Sequence, residues 1–548
     1  MPSTTSTGTN SDIVADFIIV GAGFGGCYAL HQLRVQGYSV KIIEAGSDFG
    51  GVWHFNRYPG ARVDSETPLY QLNLRELSDK FNFSQRFPDH EELRAYFSHI
   101  STTLDLRKDA IFNQRITSAK YNLESKTWLL QSDNGLTARC QSVIFASGTT
   151  NKAYIPDFPG LDRFEGQVIH PAAWPKNVDL RGKSVGLVGQ GASGLQILQE
   201  LAKTDCNLTV FIRTPCTGVP MGQRDIPKNE SEGLKNQYDA LFNYAKYQSN
   251  TGYSDNQNPL SFHDVTQEER EELWETLWAR GGFGFLTSNY WDYALDKEAN
   301  AALYQFWAKK VRQRVTDPVK RDIVAPLEQT YWLGAKRPNL EVDYYEMIDR
   351  PNVKLVDLVK SPIKDFVSNG VITGTADDRE EHQLDVVIVA TGYDSVTGSI
   401  YEMNIQDKNG ELLQDKWKYG IATHLGMMVP GMPNAFFLYG PQAPTSLANG
   451  PPFLELQVEF ITKLLEKAKR DKVESIEVAE EAAAAWRVAT LATFEAVLHS
   501  QTDSWWNGAN VPGKNREPLI WFGGMRSWWD ACQAALMNWN SFVTAPIA

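Results

Sequence analysis

The feature that most constrains this chain is a plan that occurs twice. DFIIVGAGFGGCYALHQLRVQGYSVKIIEAG, from Asp16, runs an apolar strand (Phe17 to Val20) into Gly21-x-Gly23-x-x-Gly26. A helix follows with Leu30 and Leu33 on one face, and then a strand, SVKIIE, that ends on Glu44. Each residue type has a physical cause. Gly21 permits a tight turn, Gly23 lets the backbone approach a pyrophosphate, and Gly26 lets the helix pack closely on the strand. The helix N-terminus offers unpaired N–H groups to phosphate, and an acid at Glu44 accepts from a ribose diol, which fits FAD or NAD. KSVGLVGQGASGLQILQELAKTDCNLTVFIRTP repeats the plan, with Gly189-x-Gly191-x-x-Gly194 and with Leu195, Leu198 and Leu201 on the helix. Its second strand ends on Arg213 and Thr214 instead of an acid. A guanidinium there suits a 2′-phosphate and points to NADP.

Two further strands close alike, VIFASG (143–148) and VIVATG (387–392), and mark the last strand of each nucleotide unit or the crossing between units. The fold class read from this is α/β, with two Rossmann-like dinucleotide-binding domains and a mainly helical insertion. EREELWETLWA and AALYQFWAKKVRQRV carry helical apolar spacing within that insertion. The division expected is a disordered tail over 1–15 and an FAD part over 16–150 that resumes over 390–548 with the substrate loops. An NADP part covers 151–216 and 329–389, and the insertion covers 217–328.

A net charge of −13 argues against nucleic acid or an anionic membrane as partner. Five scattered cysteines without a CxxC pair support neither a disulfide framework nor a zinc site, so no metal is expected and the compartment reads as reducing. The N-terminal stretch lacks the basic and apolar regions of a secretory signal, and no apolar run is long enough for a membrane span, so the expected location is the cytoplasm.

Two dinucleotide sites imply hydride transfer from NADPH to flavin. A disulfide reductase would need a redox-active CxxxxC, which is missing; a diaphorase needs nothing more. A monooxygenase must keep an oxygenated flavin from water and place a cation beside it.

FEGQVIHPAAWP (164–175) lies just ahead of the second glycine loop, in the crossover between units, and resembles FxGxxxHxxxW followed by Pro or Asp, the fingerprint of Baeyer–Villiger monooxygenases, at Phe164, Gly166, His170 and Trp174. GGVWHFNRYPGARVD, from Gly50, is similar to a second motif of that family, with Gly51, Trp53, Tyr58, Pro59 and Asp64 in place. GAKRPNLEVDYYE looks like its catalytic arginine segment at Lys336, Arg337 and Pro338, and SWWNGANVPGK like its tryptophan-bearing loop at Trp505. Within the family the chain is similar to cyclohexanone and phenylacetone monooxygenases.

The resemblance implies oxygen insertion beside a ketone carbonyl through a C4a-peroxyflavin, giving an ester or lactone, with oxygenation of amine or sulfide heteroatoms as the alternative. Arg337 is implied as the catalytic cation and Asp64 as the acid that orients it. FAD is expected on Gly21, Gly23, Phe24, Gly26, Glu44, Gly51, Val52, Trp53, Asp64 and Tyr70. NADPH is expected on Gly189, Gly191, Ala192, Ser193, Gly194, Arg213, Thr214, Lys336, Arg337 and Trp505. His170 is taken as a hinge between domains, not as an acid or base. Thr445, Ser446, Leu447 and Trp505 are expected to line the pocket of a small apolar ketone, with O2 as co-substrate. GANVPGKN also resembles GxxxxGK(S/T), but Asn515 replaces the magnesium-binding hydroxyl, so no triphosphate site is expected there.

Overall fold

The protein is described by a computed structural model that covers residues 12–547. Part of the tail expected over 1–15 (residues 1–11) lies outside the described residues. Its remainder does not: the first strand starts at Ile13, because Ile13 to Ala15 pair with Ala138 to Cys140.

The first glycine plan becomes the centre of an eight-stranded sheet. Ile13–Val20 is flanked by Val40–Ile43 and Thr137–Phe145, both parallel to it. Ile116–Asn122 and Thr127–Ser132 form an antiparallel meander that leads into Thr137–Phe145. The C-terminal half adds Ile405–Gln406 and Ala435–Phe437, so this sheet is built from both ends of the chain. Helix Phe24–Val35 covers one face, and the 22-residue helix Gly450–Asp471 packs on that helix, burying the apolar side of each.

The second plan forms a sheet of five parallel strands, in the order Val353–Asp357, Asn207–Ile212, Ser184–Val188, Val386–Val389 and Gln167–Ile169. The last of these is unforeseen. The fingerprint segment is not merely a crossover, because its residues 167–169 pair with Val386–Ile388 as the edge strand. Gly166 makes that edge possible: a Cβ there would stand 2.4 Å from the Asp385 carbonyl and 2.5 Å from the Phe164 ring.

The insertion is mainly helical. Gln267–Arg280 begins with a capping box between Thr266 and Glu269 and buries Trp274, Leu277 and Trp278. Lys297–Arg312 is capped by Asp296 and buries Leu303, Phe306, Trp307 and Val311. These aromatics share one core with Leu187, Leu198 and Val210 of the second nucleotide unit. The insertion also sends a buried cation across to the other body: Lys246 pairs with Glu455 of the long helix at 3.2 Å, both nearly inaccessible to solvent.

Candidate active site

The two loops are built to the same geometry. Gly21 and Gly189 have φ of +108° and +103°, conformations that L side chains rarely adopt. A Cβ on Gly21 would lie 2.5 Å from the Ala146 carbonyl, and one on Gly189 2.4 Å from that of Ala390. This explains the repeated strand endings, since each brings an alanine carbonyl against the first glycine of its own loop. Gly23 and Gly191 are the N-caps of the two helices, and neither helix has a side-chain cap, so first-turn N–H groups stay available to a phosphate.

A cleft of about 470 Å³ opens over the first loop and is lined by Gly21, Gly23, Glu44, Trp53, Tyr70 and Tyr439 among others. Phe24, Gly51 and Val52 border it as well. Glu44 is buried and accepts from the Ala22 and Gly46 amides at 2.7 and 2.6 Å. Burial pushes its carboxyl above the usual range, and the two amides pull it back. Gly26 is fixed inside the loop, where a Cβ would stand 1.9 Å from the Gly21 carbonyl. A loop without side chains, a bare helix end and an anchored acid in one cleft fit the pyrophosphate and ribose of FAD. Asp64 does not line the cleft, although its charge acts on Tyr70 and Tyr439, which do.

At the second loop Gly191 and Ala192 are exposed, and a Cβ on Gly191 would meet nothing within 4 Å. Arg213 is exposed at its strand end, with Thr214 partly buried beside it. Burial, and next the positive charge of Arg213, hold Lys336 below the usual ammonium value. Two cations thus act on one region, an arrangement that suits a 2′-phosphate. Lys336 donates to the Asp503 carbonyl at 2.6 Å, which ties its segment to the short turn Trp505–Asn507 capped by Ser504. Trp505 is partly buried against Trp506.

Arg337 reaches Asp64, 273 residues away in sequence, with Nε at 3.1 Å and Nη2 at 2.9 Å on one carboxylate oxygen. Its Nη1 donates to the Ser446 carbonyl, and its guanidinium lies 4.7 Å from the Phe283 ring centre. Burial works against the charge, but the Asp64 carboxylate outweighs it and holds Arg337 above the usual guanidinium value. The turn Thr445–Leu447 therefore touches the arginine through its backbone. Thr445 has no exposed surface and lies at φ +39°, whereas Ser446 and Leu447 are partly open.

His170 donates through Nε2 to the Gly392 carbonyl at 3.1 Å and accepts through Nδ1 from the Ala172 amide at 3.2 Å, roles that assign the neutral tautomer. Burial lowers its pKa, and the Gly392 contact opposes that. It thus ties the segment after the edge strand to the segment after Val386–Val389. Phe164 is buried on Phe366, and Trp174 packs against the core of the second unit.

Several neighbours of the pair carried no sequence signal. Tyr253, from the insertion, shares a hydrogen bond with Ser65 at 2.8 Å, next to Asp64. Gln196 accepts from Tyr58 at 3.0 Å and donates to the Arg62 carbonyl at 3.0 Å, which locks the second motif onto the second glycine-loop helix.

Paired glycine loops of matched geometry, one under a cleft and one open beside two cations, define a flavoprotein oxidoreductase with two dinucleotide sites. A family model for an NAD(P)-binding Rossmann-like domain matches residues 19–81, and one for L-lysine 6-monooxygenase/L-ornithine 5-monooxygenase matches residues 70–281. FAD-binding monooxygenase VdtE of Byssochlamys spectabilis is 40% identical over 517 residues, 93% of this chain and 90% of its own. Cyclopentanone 1,2-monooxygenase of Comamonas sp. is 35% identical over 92% of this chain and 91% of its own. The crystal structure of cyclohexanone monooxygenase from Rhodococcus sp. Phi1 bound to NADP+ matches with a TM-score of 0.93 at 34% identity, over 98% of this chain and 100% of that one. The chain belongs to the Baeyer–Villiger monooxygenases and is an FAD- and NADPH-dependent oxidoreductase that inserts one oxygen beside a ketone carbonyl.

Proposed function

We propose that the substrate is a small apolar ketone, converted to an ester or lactone, and that Arg337 is the catalytic cation. Bound in the cleft and reduced by NADPH, FAD would supply the two electrons with which O2 is activated for insertion. The protein's own groups supply charge, orientation and shelter. The observation that carries this reading is the Arg337–Asp64 pair, whose charges act on Tyr439 in the wall of the cleft. A guanidinium has five N–H donors, and Asp64 and Ser446 engage three of them, which leaves two for an oxygen on which negative charge develops. Because Asp64 and Ser446 hold the group beforehand, little rearrangement is needed as that charge forms.

Phe283 and Leu447, with the Tyr253 and Tyr439 rings, give the surroundings an apolar character that suits such a ketone and helps keep water out. Arg213, Thr214 and Lys336 are assigned to the 2′-phosphate, Gly191 to Gly194 to the pyrophosphate, and Trp505 to the nicotinamide and substrate side. His170 serves as the brace about which the units move. The division at residues 150, 216, 328 and 389 remains our assignment of the domains. Among the described residues no helix is long and apolar enough to cross a membrane, and five free, buried cysteines suit a reducing cytoplasm.

Arg337→Ala tests the reading. Flavin bleaching by NADPH under anaerobic conditions should persist, while lactone from cyclohexanone or cyclopentanone falls by about a hundredfold to a thousandfold. Undiminished lactone in gas chromatography would remove Arg337 from the chemistry.

A further inference from the structure

We infer that Asn449 is a positioning residue for Arg337, knotting together the three segments that surround the guanidinium; the inference rests on the role proposed for that arginine. Asn449 is completely buried at the start of the long helix Gly450–Asp471, yet its side chain does not cap that helix. It turns outward instead. Nδ2 donates to the Leu69 carbonyl at 3.1 Å and to the Gly252 carbonyl at 3.3 Å. The backbone amide of Asn449 donates to the Thr251 carbonyl at 2.7 Å. Two carbonyl oxygens facing one end of the amide fix its orientation, since only the NH2 end can donate.

Each tie leads to a group on Arg337. Leu69 closes the segment that begins at Asp64, the arginine's ionic partner. Thr251 and Gly252 deliver Tyr253, whose hydroxyl meets Ser65 beside that carboxylate. Asn449 itself follows the turn in which Ser446 presents its carbonyl to Nη1, and in that turn the Leu447 and Ala448 amides donate hydrogen bonds to the Pro444 and Thr445 carbonyls. The fit at the knot is close: Gly252 lies at φ +74°, and a Cβ on it would stand 3.2 Å from the Asn449 Cβ. Asn449 Oδ1 is buried without a hydrogen-bond partner among the described residues. A polar side chain kept in the interior with one end unpaired is costly unless the other end does something an apolar residue cannot. Here that is to hold the insertion and the substrate turn in register on the two sides of Asp64.

The geometry also says what the knot controls. Arg337 arrives from the second nucleotide unit, while Asp64 and Ser446 belong to the body formed by the first. The insertion's helices over 267–312 share a core with the second unit. The stretch just before residues 251–253 instead packs on the first body through Leu69 and the Lys246–Glu455 pair, so Asn449 secures the insertion to that body where the cation must be placed. Loosening it displaces the cation relative to the cleft and leaves both glycine loops intact. Oxygen activated in such a protein is released as hydrogen peroxide instead of reaching the ketone.

The experiment uses the full-length holoenzyme with Asn449→Ala and Asn449→Asp. In Asn449→Ala, amide hydrogen exchange over residues 249–253 and 446–450 should speed up. Anaerobic flavin reduction by NADPH should stay as in the parent, and lactone formed per NADPH should fall on the order of tenfold to a hundredfold, with peroxide making up the difference. Asn449→Asp keeps the shape. Its carboxylate would repel the Leu69 and Gly252 carbonyls, whereas the protonated acid, favoured by burial, can donate to one of them. Coupling relative to the parent should therefore recover as pH falls, which a simple packing defect would not reproduce. Parent-like coupling in Asn449→Ala, or a defect in Asn449→Asp that ignores pH, overturns the inference. If Arg337→Ala still makes lactone, the proposed function fails first; if only the Asn449 variants stay coupled, this inference fails alone.

Discussion

The two glycine loops share their torsions, their carbonyl contacts and their uncapped helices, but they differ in what covers them. At the first loop Ala22, Phe24 and Gly25 are buried, and a Cβ on Gly23 would come within 3.5 Å of Gly51 from the second motif. At the second loop Gly191 and Ala192 are exposed, and a Cβ on Gly191 would meet nothing within 4 Å. The strand ends differ in the same sense: Glu44 is buried and bonded to two amides, and Arg213 is exposed. One motif thus yields two kinds of site. A dinucleotide on the first must break from protein that also covers the loop, while one on the second meets open backbone and the cations Arg213 and Lys336. The difference suits a cofactor that stays and a cofactor that exchanges every turnover.

Three pairs of substitutions can break or sharpen this contrast. The largest effect belongs to the strand ends. Glu44→Ala strands two buried amide donors, at about 1–3 kcal/mol each, and the protein should denature earlier and purify without yellow colour. Arg213→Ala should leave melting within about 0.5 kcal/mol of the parent. Losing a charged hydrogen bond of about 1.5–3 kcal/mol, it should raise the KM for NADPH by more than tenfold and change that for NADH far less. A flavin-loaded Glu44→Ala would end the contrast.

Next come the third glycines. Gly26→Ala and Gly194→Ala both drive a methyl into a carbonyl, at 1.9 and 2.2 Å, and each should cost about 1–3 kcal/mol or more. Absorbance at 450 nm separates them, with the first colourless and the second yellow but poorly reduced by NADPH. The smallest effect is at the middle glycines: Gly191→Ala has room and should keep its melting temperature with a weaker hold on NADPH, whereas Gly23→Ala should lower flavin content. Equal flavin loss in both would show that the covering segment near Gly51 matters little.

Much of the fold was legible because its signals are local. The glycine spacing, the strand endings and the helical period of the insertion each follow from backbone sterics or from one face of one helix. The edge strand 167–169 was not, since two of its three residues are exposed and so short a run carries no alternation. For the site, the individual residues Arg337 and Asp64 could be picked out by resemblance, but not that Ser446 would serve through its carbonyl. The knot at Asn449 was invisible for the same reason: Asn before Gly-Pro reads as a helix start, and nothing local says that its amide turns away.

What the sequence alone determined is therefore the pair of nucleotide plans, because a positive φ and the close contacts of Gly26 with Gly21 and of Gly194 with Gly189 are demands made within a few residues. Only the tertiary structure decided which plan is covered, which cation meets which acid, and what holds them there. Those outcomes depend on contacts between segments hundreds of residues apart, such as Arg337 with Asp64 and Asn449 with Leu69. Charge pairing and hydrogen bonding act over a few ångströms, so chain distance tells nothing about them until the chain has folded.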